Sequence, residues 1–595
     1  MCGIAAVLGP GADRETAAAM AAVLRHRGPD RTAAAALPGA ALAATRLAVT
    51  GPGPAGDQPM RGGGDRSLLV FNGEIHNHRE LRTRLPGRSY RGDSDTETLL
   101  ALLDEWGADA LPQLEGPFAF VYAERGSGRV TVARDRFGVK PLYLGRHAGR
   151  WYLASEIKAL LAGGVPARVS PDALRSVLAD YWVNGAQTPL QGIRRVLPGT
   201  VLQFGADGEL LSERTWFEPA QLVDAEEEAR LAALSPDGWV DELEAALRAG
   251  VRHRLPQDGV AGAGVLCSGG LDSSLVLALA GAEGARLPAY VASFGDQPEV
   301  DETPWAARAA EAAGSPLTSV QVGADAWREH FAASVWHFEY PLVHQNSVAL
   351  ATVAARARAD GLRVLFSGEG ADELFGGYPS RHHEQRSTFG AGPQALETPA
   401  HRNRGLREAL GLPPAGESGY ERGVRDSLLR AFAHLPEGRR ELAAALAGDT
   451  RLFLSHGLNR LDKNLMQGSI EVREPFLDTG VASFALNSPL ERHLLPVLKG
   501  GLAAVARRHL PAEVVDRKKF GFNFSVSRYL QRLDPKHLES GFLGEILGVP
   551  ASDWRTILAA SEERTLFRIW SAEIWCRLFA EGDSVDDVNG LIWQH

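Results

Sequence analysis

The chain has 595 residues, 45% of them hydrophobic and 23% charged, with a formal net charge of −10. That length exceeds what one hydrophobic core organises, so two domains are expected. Lys and Arg are scattered, which excludes the clustered basic face that nucleic acid needs, and no run of eighteen apolar residues or signal-like N-terminus is present, so neither a membrane span nor export is expected. The cysteines Cys2, Cys267 and Cys576 lie too far apart for a disulfide framework or a metal cluster, which fits a reducing cytoplasm.

An apolar run over 4–8 begins two residues after Cys2 and reads as a buried strand. If Met1 is removed, Cys2 carries a thiol and a free α-amine whose pKa of about 7.7–8.0 suits a general base, so nucleophile and base share one residue. A small cysteine that merely begins a core strand is the other reading. Residues 25–30 (RHRGPD) form a loop, and Arg46 stands in an apolar context as a candidate carboxylate clamp. A strand over 67–70 runs into Phe71, Asn72, Gly73 and Glu74, where the Asn72 amide and the Gly73 N–H make a candidate oxyanion hole. Residues 93–97 (DSDTE) then open a helix through Leu99, Leu100, Leu102 and Leu103; the cluster caps that helix and also offers a carboxylate to an α-ammonium group.

Cys2, Arg46, 71–74 and 93–97, followed by 134–143 (RDRFGVKPLY) and 154–160 (ASEIKAL), resemble in identity and order the N-terminal-nucleophile glutaminase domain of glutamine amidotransferases. The resemblance implies an antiparallel β-sandwich flanked by helices. It makes Cys2 the nucleophile, places Arg46, Asn72, Glu74 and Asp95 at glutamine, and forms the oxyanion hole from Asn72 and Gly73.

The pattern loosens after 198–199, and the charged stretch 224–228 reads as a solvated connector or a helix start. The expected division is a first domain at 1–210, a linker at 211–237 and a second domain at 238–595. A helix over 239–251 leads into the apolar run 260–267 and then 268–274 (SGGLDSS), a strand, a glycine turn and a helix start. Gly269 and Gly270 let backbone amides approach an anion, and the following helix aims its free N–H groups into the same space. Ser268 and Ser273 add hydroxyls, and Asp272 supplies a carboxylate for a Mg²⁺ ion shared with phosphates. The lysine of a Walker loop is missing, which excludes that reading.

Strands over 288–294, 318–322 and 362–366 alternate with helices over 303–313 and 348–359, so a doubly wound parallel sheet with ligands at its carboxyl edge is expected. Residues 367–377 (SGEGADELFGG) carry Glu369 and Asp372 to the end of the last of these strands. If this loop faces the Ser268 turn, Asp272 and Asp372 share Mg²⁺ and Glu369 is left for proton transfer.

These segments look like the synthetase domain of asparagine synthetases, an ATP pyrophosphatase fold with a helical extension. That resemblance implies ATP and Mg²⁺ as cofactors. ATP falls to Leu266, Ser268, Gly269, Gly270, Asp272, Ser273, Ser367 and Gly368, and metal to Asp272 and Asp372. Catalysis there falls to Glu369 and to Lys499, which neutralises phosphate charge. Residues 471–478 (EVREPFLD) and 517–522 are further landmarks. The implied reaction hydrolyses glutamine at Cys2 and carries ammonia through an interior passage to an acyl-adenylate, aspartate being the expected acceptor, with release of AMP and pyrophosphate. The alternative is a tailoring enzyme of the same mechanism acting on another small carboxylate, for example in natural-product biosynthesis. It stays open because 338–347 (FEYPLVHQNS) shows no aspartate-binding pattern. In addition, Lys499 is followed by Gly500, Gly501 and Ala503, where relatives carry bulkier residues and an arginine. Small-molecule partners only are expected, with a homodimer left open. His382 and His383 lack further ligands at metal spacing, 384–421 reads as a long excursion, and Phe567, Trp570, Trp575 and Phe579 sit at helical spacing as core.

Overall fold

The computed structural model describes residues 2–51, 53–180, 185–256, 262–378, 404–412, 418–518 and 524–593. His382, His383 and most of the 384–421 stretch lie outside them.

The first half is a sandwich of two six-stranded antiparallel sheets. In one, the order is Ile193–Arg195, Tyr143–His147, Arg150–Ala154, Cys2–Leu8, Ala40–Arg46, Arg31–Leu37; in the other it is Leu210–Thr215, Thr200–Phe204, Val130–Arg134, Phe118–Glu124, Ser67–Gly73, Met60–Arg61. The two-residue period of a strand decides what each side chain meets. Ile4, Ala6 and Leu8 point between the sheets, where they meet Leu68 and Val70. Ala5 and Val7 point outward, under Ala17, Met20 and Ala21 of helix Arg14–Ala22. Leu69 and Phe71 likewise leave the sandwich to pack on Leu99, Leu100 and Leu103 of helix Asp95–Trp106. The result is four layers, helix, sheet, sheet, helix, with Cys2 and Asn72 on the inner faces at one end. Leu210–Thr215 still pairs with Thr200–Phe204, so the sheet reaches Thr215. The 224–228 stretch is a helix start, with Asp224 capping helix Ala225–Ala233.

The second half holds a five-stranded parallel sheet in the order Leu317–Gln321, Ala289–Ser293, Gly262–Leu266, Leu362–Phe366, Glu471–Arg473. Leu243, Leu247, Leu275 and Val276 cover one face and Leu350, Val353, Leu461 and Leu465 the other. Burial on both faces is why the three inner strands read as largely apolar runs. The chain winds outward from Gly262–Leu266 in one direction, then crosses to Leu362–Phe366 on its other side. Loops leaving that pair therefore diverge and open a crevice at the switch point. Phe567, Trp570, Trp575 and Phe579 are core, with Phe567 against Trp327 and Phe331 of helix Ala324–Phe338, an element the strand and helix alternation had not marked. No helix among the described residues is long and apolar enough to cross a membrane.

Candidate active sites

Cys2 lies directly across the sheet from Arg46 and is 5% exposed. Its backbone N–H donates to Asn72 Oδ1 at 3.1 Å, and Asn72 Nδ2 is buried without a hydrogen-bond partner among the described residues. A buried amide donor with nothing to bond is costly unless something else uses it. Gly73 follows with φ 152°, and a Cβ there would lie 2.1 Å from the Pro117 carbonyl oxygen, so only glycine fits at this turn. Asp95 accepts from the N–H groups of Ile75 at 3.0 Å and Thr96 at 2.8 Å, which brings its carboxylate beside the 73–75 turn. Burial pushes the Asp95 carboxyl up, with His78 pulling against it, and burial likewise pushes the Cys2 thiol up against Arg46.

Two residues with no assigned role in the sequence touch the cysteine. Gln58 places Nε2 3.5 Å from Cys2 Sγ while its Oε1 accepts from the Phe71 N–H at 2.6 Å, and Arg27 Nε donates to the Cys2 carbonyl at 3.3 Å. Both reach Cys2 from distant sequence, so no local pattern signals them. Arg46 spans the mouth of the site: its guanidinium donates to the carbonyls of Gly51 and Gly53 and to Asp57. Glu74 turns toward the second half instead. It pairs with Arg473 at 2.8 Å and accepts from Thr50 at 3.0 Å. Burial raises it to about 7 although Arg473 opposes the shift.

In the second half the two loops at the switch point touch. A Cβ on Gly368 would lie 2.8 Å from Asp272 Cβ and 2.9 Å from the Ser273 nitrogen, and one on Gly269 (φ 69°) would meet Trp305 Cβ at 2.5 Å. The Ser273 hydroxyl accepts from the Ser268 N–H at 3.2 Å and the Ser268 hydroxyl from the Gly270 N–H at 3.3 Å, which curls the turn around the start of helix Leu271–Ala282. Leu266 ends the central strand, and Ser367 directly follows the next one, where its N–H donates to the Arg473 carbonyl at 2.9 Å.

Lys499 completes this arrangement. Its ammonium lies 2.6 Å from Asp272 Oδ2 and 2.5 Å from Asp372 Oδ1, and the residue is 5% exposed. Burial alone would lower it, but the two aspartates more than reverse that and hold it above the ordinary lysine value. Among the described residues Asp272 Oδ1 is buried with no hydrogen-bond partner. The glycines after Lys499 are explained by packing: a Cβ on Gly501 would lie 2.5 Å from Trp239 Cη2.

Glu369 points toward helix Leu454–Met466, with Oε1 3.5 Å from Arg460 Nη2 in the space left by the missing side chain of Gly457. The neighbouring 338–347 segment is partly spent on docking. Glu339 accepts from the N–H groups of Ile157 and Lys158 at 2.7 Å each and pairs with Lys158 and Lys463.

A family profile for a glutamine amidotransferase domain matches residues 1–217 and one for asparagine synthase matches residues 242–542. A Mycobacterium tuberculosis protein assigned as an asparagine synthetase (glutamine-hydrolyzing) is 30% identical, over 89% of this chain and 88% of that one. This chain belongs to the asparagine synthetase family. It is accordingly a glutamine-hydrolysing ligase that uses ATP. Asparagine synthetase (glutamine-hydrolyzing) 1 of Bacillus subtilis is 28% identical over 80% of this chain and 78% of its own length. Amidase chyE of Penicillium rubens is also 28% identical, over 85% and 81%. The antiparallel sandwich and the parallel sheet of this chain match the fold classes that the sequence leads one to expect.

Proposed function

We propose that this protein adenylates a small carboxylate, aspartate first, and uses ammonia from glutamine to convert it to an amide. The observation that carries this reading is Lys499 held between Asp272 and Asp372 where two glycine loops meet at the sheet's switch point.

At the first site the Cys2 thiol attacks the glutamine amide carbon, Asn72 Nδ2 and the Gly73 N–H receive the oxyanion, and the α-amine of Cys2, freed of Met1, passes the thiol proton to departing ammonia. Water then releases glutamate from the thioester. Arg46 and Asp95 hold the two charged ends of glutamine, and Glu74 supports the site from the domain boundary. At the second site the amides of Ser268, Gly269 and Gly270, with Ser273, Ser367, Gly368 and Leu266, hold ATP. An acceptor oxygen attacks the α-phosphorus and pyrophosphate leaves, its charge countered by Lys499. Ammonia then attacks the acyl carbon, Glu369 takes a proton and AMP departs. Asp272 and Asp372 would hold Mg²⁺, which neutralises pyrophosphate charge when bound; the orphaned Asp272 Oδ1 fits such an ion.

A second reading, a tailoring enzyme for another small carboxylate, is supported by Glu339, which lies in the acceptor segment yet is committed to docking. The likeness to an enzyme named as an amidase is consistent with it. An acceptor panel scored by pyrophosphate and AMP release separates the two. Aspartate as the best acceptor supports the first, another carboxylate the second, and formation of ADP and phosphate refutes both.

A further inference from the structure

Arg27 and Asp462 belong to different halves of the chain and are both fully buried, 2.8 Å apart. The Arg27 fork is shared three ways: Nε donates to the Cys2 carbonyl at 3.3 Å, Nη1 to Glu156 at 2.9 Å, and Nη2 faces Asp462. Asp462 sits on helix Leu454–Met466 of the second half. Its carboxylate contacts Arg27 and, at 3.9 Å, Lys140, both cations of the first half. Among the described residues neither oxygen makes an aligned hydrogen bond. A carboxylate taken wholly out of water without aligned donors depends on its ion partners, and removing one leaves an uncompensated buried charge. The docked halves are thus what neutralises Asp462, and Asp462 is what fixes the third corner of the Arg27 fork.

The same helix brings Gly457 and Arg460 against Glu369. One rigid element therefore touches the support of Cys2 at Asp462 and the proposed base of the amide-forming site at Glu369.

We propose that Asp462 is a positioning residue for glutamine hydrolysis: it locks Arg27 from the synthetase half, and Arg27 in turn fixes the Cys2 carbonyl and the thiol that follows from it. The proposal rests on Cys2 being the nucleophile. Because Arg46 and Asp95 are untouched, loss of Asp462 affects turnover rather than glutamine binding.

The test is glutamate release from glutamine by the full chain carrying Asp462→Asn, Arg27→Gln or both. For Asp462→Asn, kcat is expected to fall about 10- to 100-fold, the range that follows a displacement of order 1 Å, with little change in KM. The double variant is expected to be no slower than Arg27→Gln, since Asp462 acts through Arg27. The rise in unfolding temperature on adding ATP should persist. Native turnover in Asp462→Asn, or additive losses in the double variant, overturns the proposal. Should Asp462→Asn lose its response to ATP, Arg27→Lys decides: it keeps a cation facing Asp462 but removes the fork, so a fall in kcat with an intact ATP response supports the role and a native rate overturns it. If the unmodified chain hydrolyses no glutamine, the nucleophile assignment and this role both fail, which differs from a loss confined to the variants.

Discussion

Lys499 takes a left-handed backbone (φ 57°) at the start of helix Gly500–Ala506, a conformation that costs a non-glycine residue of order 1 kcal/mol and is held here by two aspartates on its ammonium. Lys499→Met removes the ammonium that lies between Asp272 and Asp372. Pyrophosphate release is expected to fall about 100-fold or more, while glutamate release from glutamine continues, because the proposed reaction at Cys2 does not use Lys499. A pH effect belongs to this scale as well. Glu474 is buried, its Oε1 without a hydrogen-bond partner among the described residues, and burial pushes it up to about 8 against the pull of Lys140 and Arg254. The raised value favours the protonated form in the folded protein. Its stabilising contribution is full below the ordinary glutamate range and is lost as pH rises through about 8. Glu474→Gln should reduce the fall in unfolding temperature across that interval, and an unchanged fall would remove Glu474 from the account. The residue types on which both proposed sites rest could be named in sequence because motifs keep them together; the contacts of Gln58 and Arg27 could not, because each meets Cys2 only through folding.

Helix Leu454–Met466 shows how an element gives a glycine its meaning. Glycine in a helix interior is about 1 kcal/mol worse than alanine, so Gly457 looks like a defect in sequence. A Cβ there would lie 2.0 Å from Glu369 Oε1, so the gap is what admits the carboxylate. Gly457→Ala is expected to suppress amide formation from either glutamine or ammonium, leave glutamine hydrolysis in place, and lower no unfolding temperature. Normal amide formation would show that Glu369 does not need this pocket. The Ser268 turn makes the complementary point. Its glycines announced a close approach in sequence, yet the neighbours that require one, Trp305 and Ala306 against Gly269, come from a later helix.

The whole molecule is joined by buried charge. Arg473 pairs with Glu74 across the boundary and with Glu471 at 2.9 Å beside it. With His76, Gly116, Arg136 and Glu474 it lines a cavity between the halves. Arg473→Met breaks a buried pair, a change that costs about 3–5 kcal/mol where one partner is left charged. The unfolding temperature is expected to drop, and glutamate released per AMP to rise above the native ratio as ammonia escapes before it is used. A native ratio in a folded variant would separate this boundary from ammonia transfer.

The sequence by itself determined the two fold classes and the order of their motifs, because period-two strands, glycine turns and capped helices are local consequences of residue type; the two chemistries came through the resemblance of those motifs to the asparagine synthetase family. Tertiary structure alone decided that Lys499 lies between Asp272 and Asp372, that Glu74 and Glu339 serve the boundary between halves, and that Asp462 braces Arg27 beneath Cys2. The reason is physical: a charge's role is set by which opposite charge shares its burial, and these partners come together only when distant segments pack.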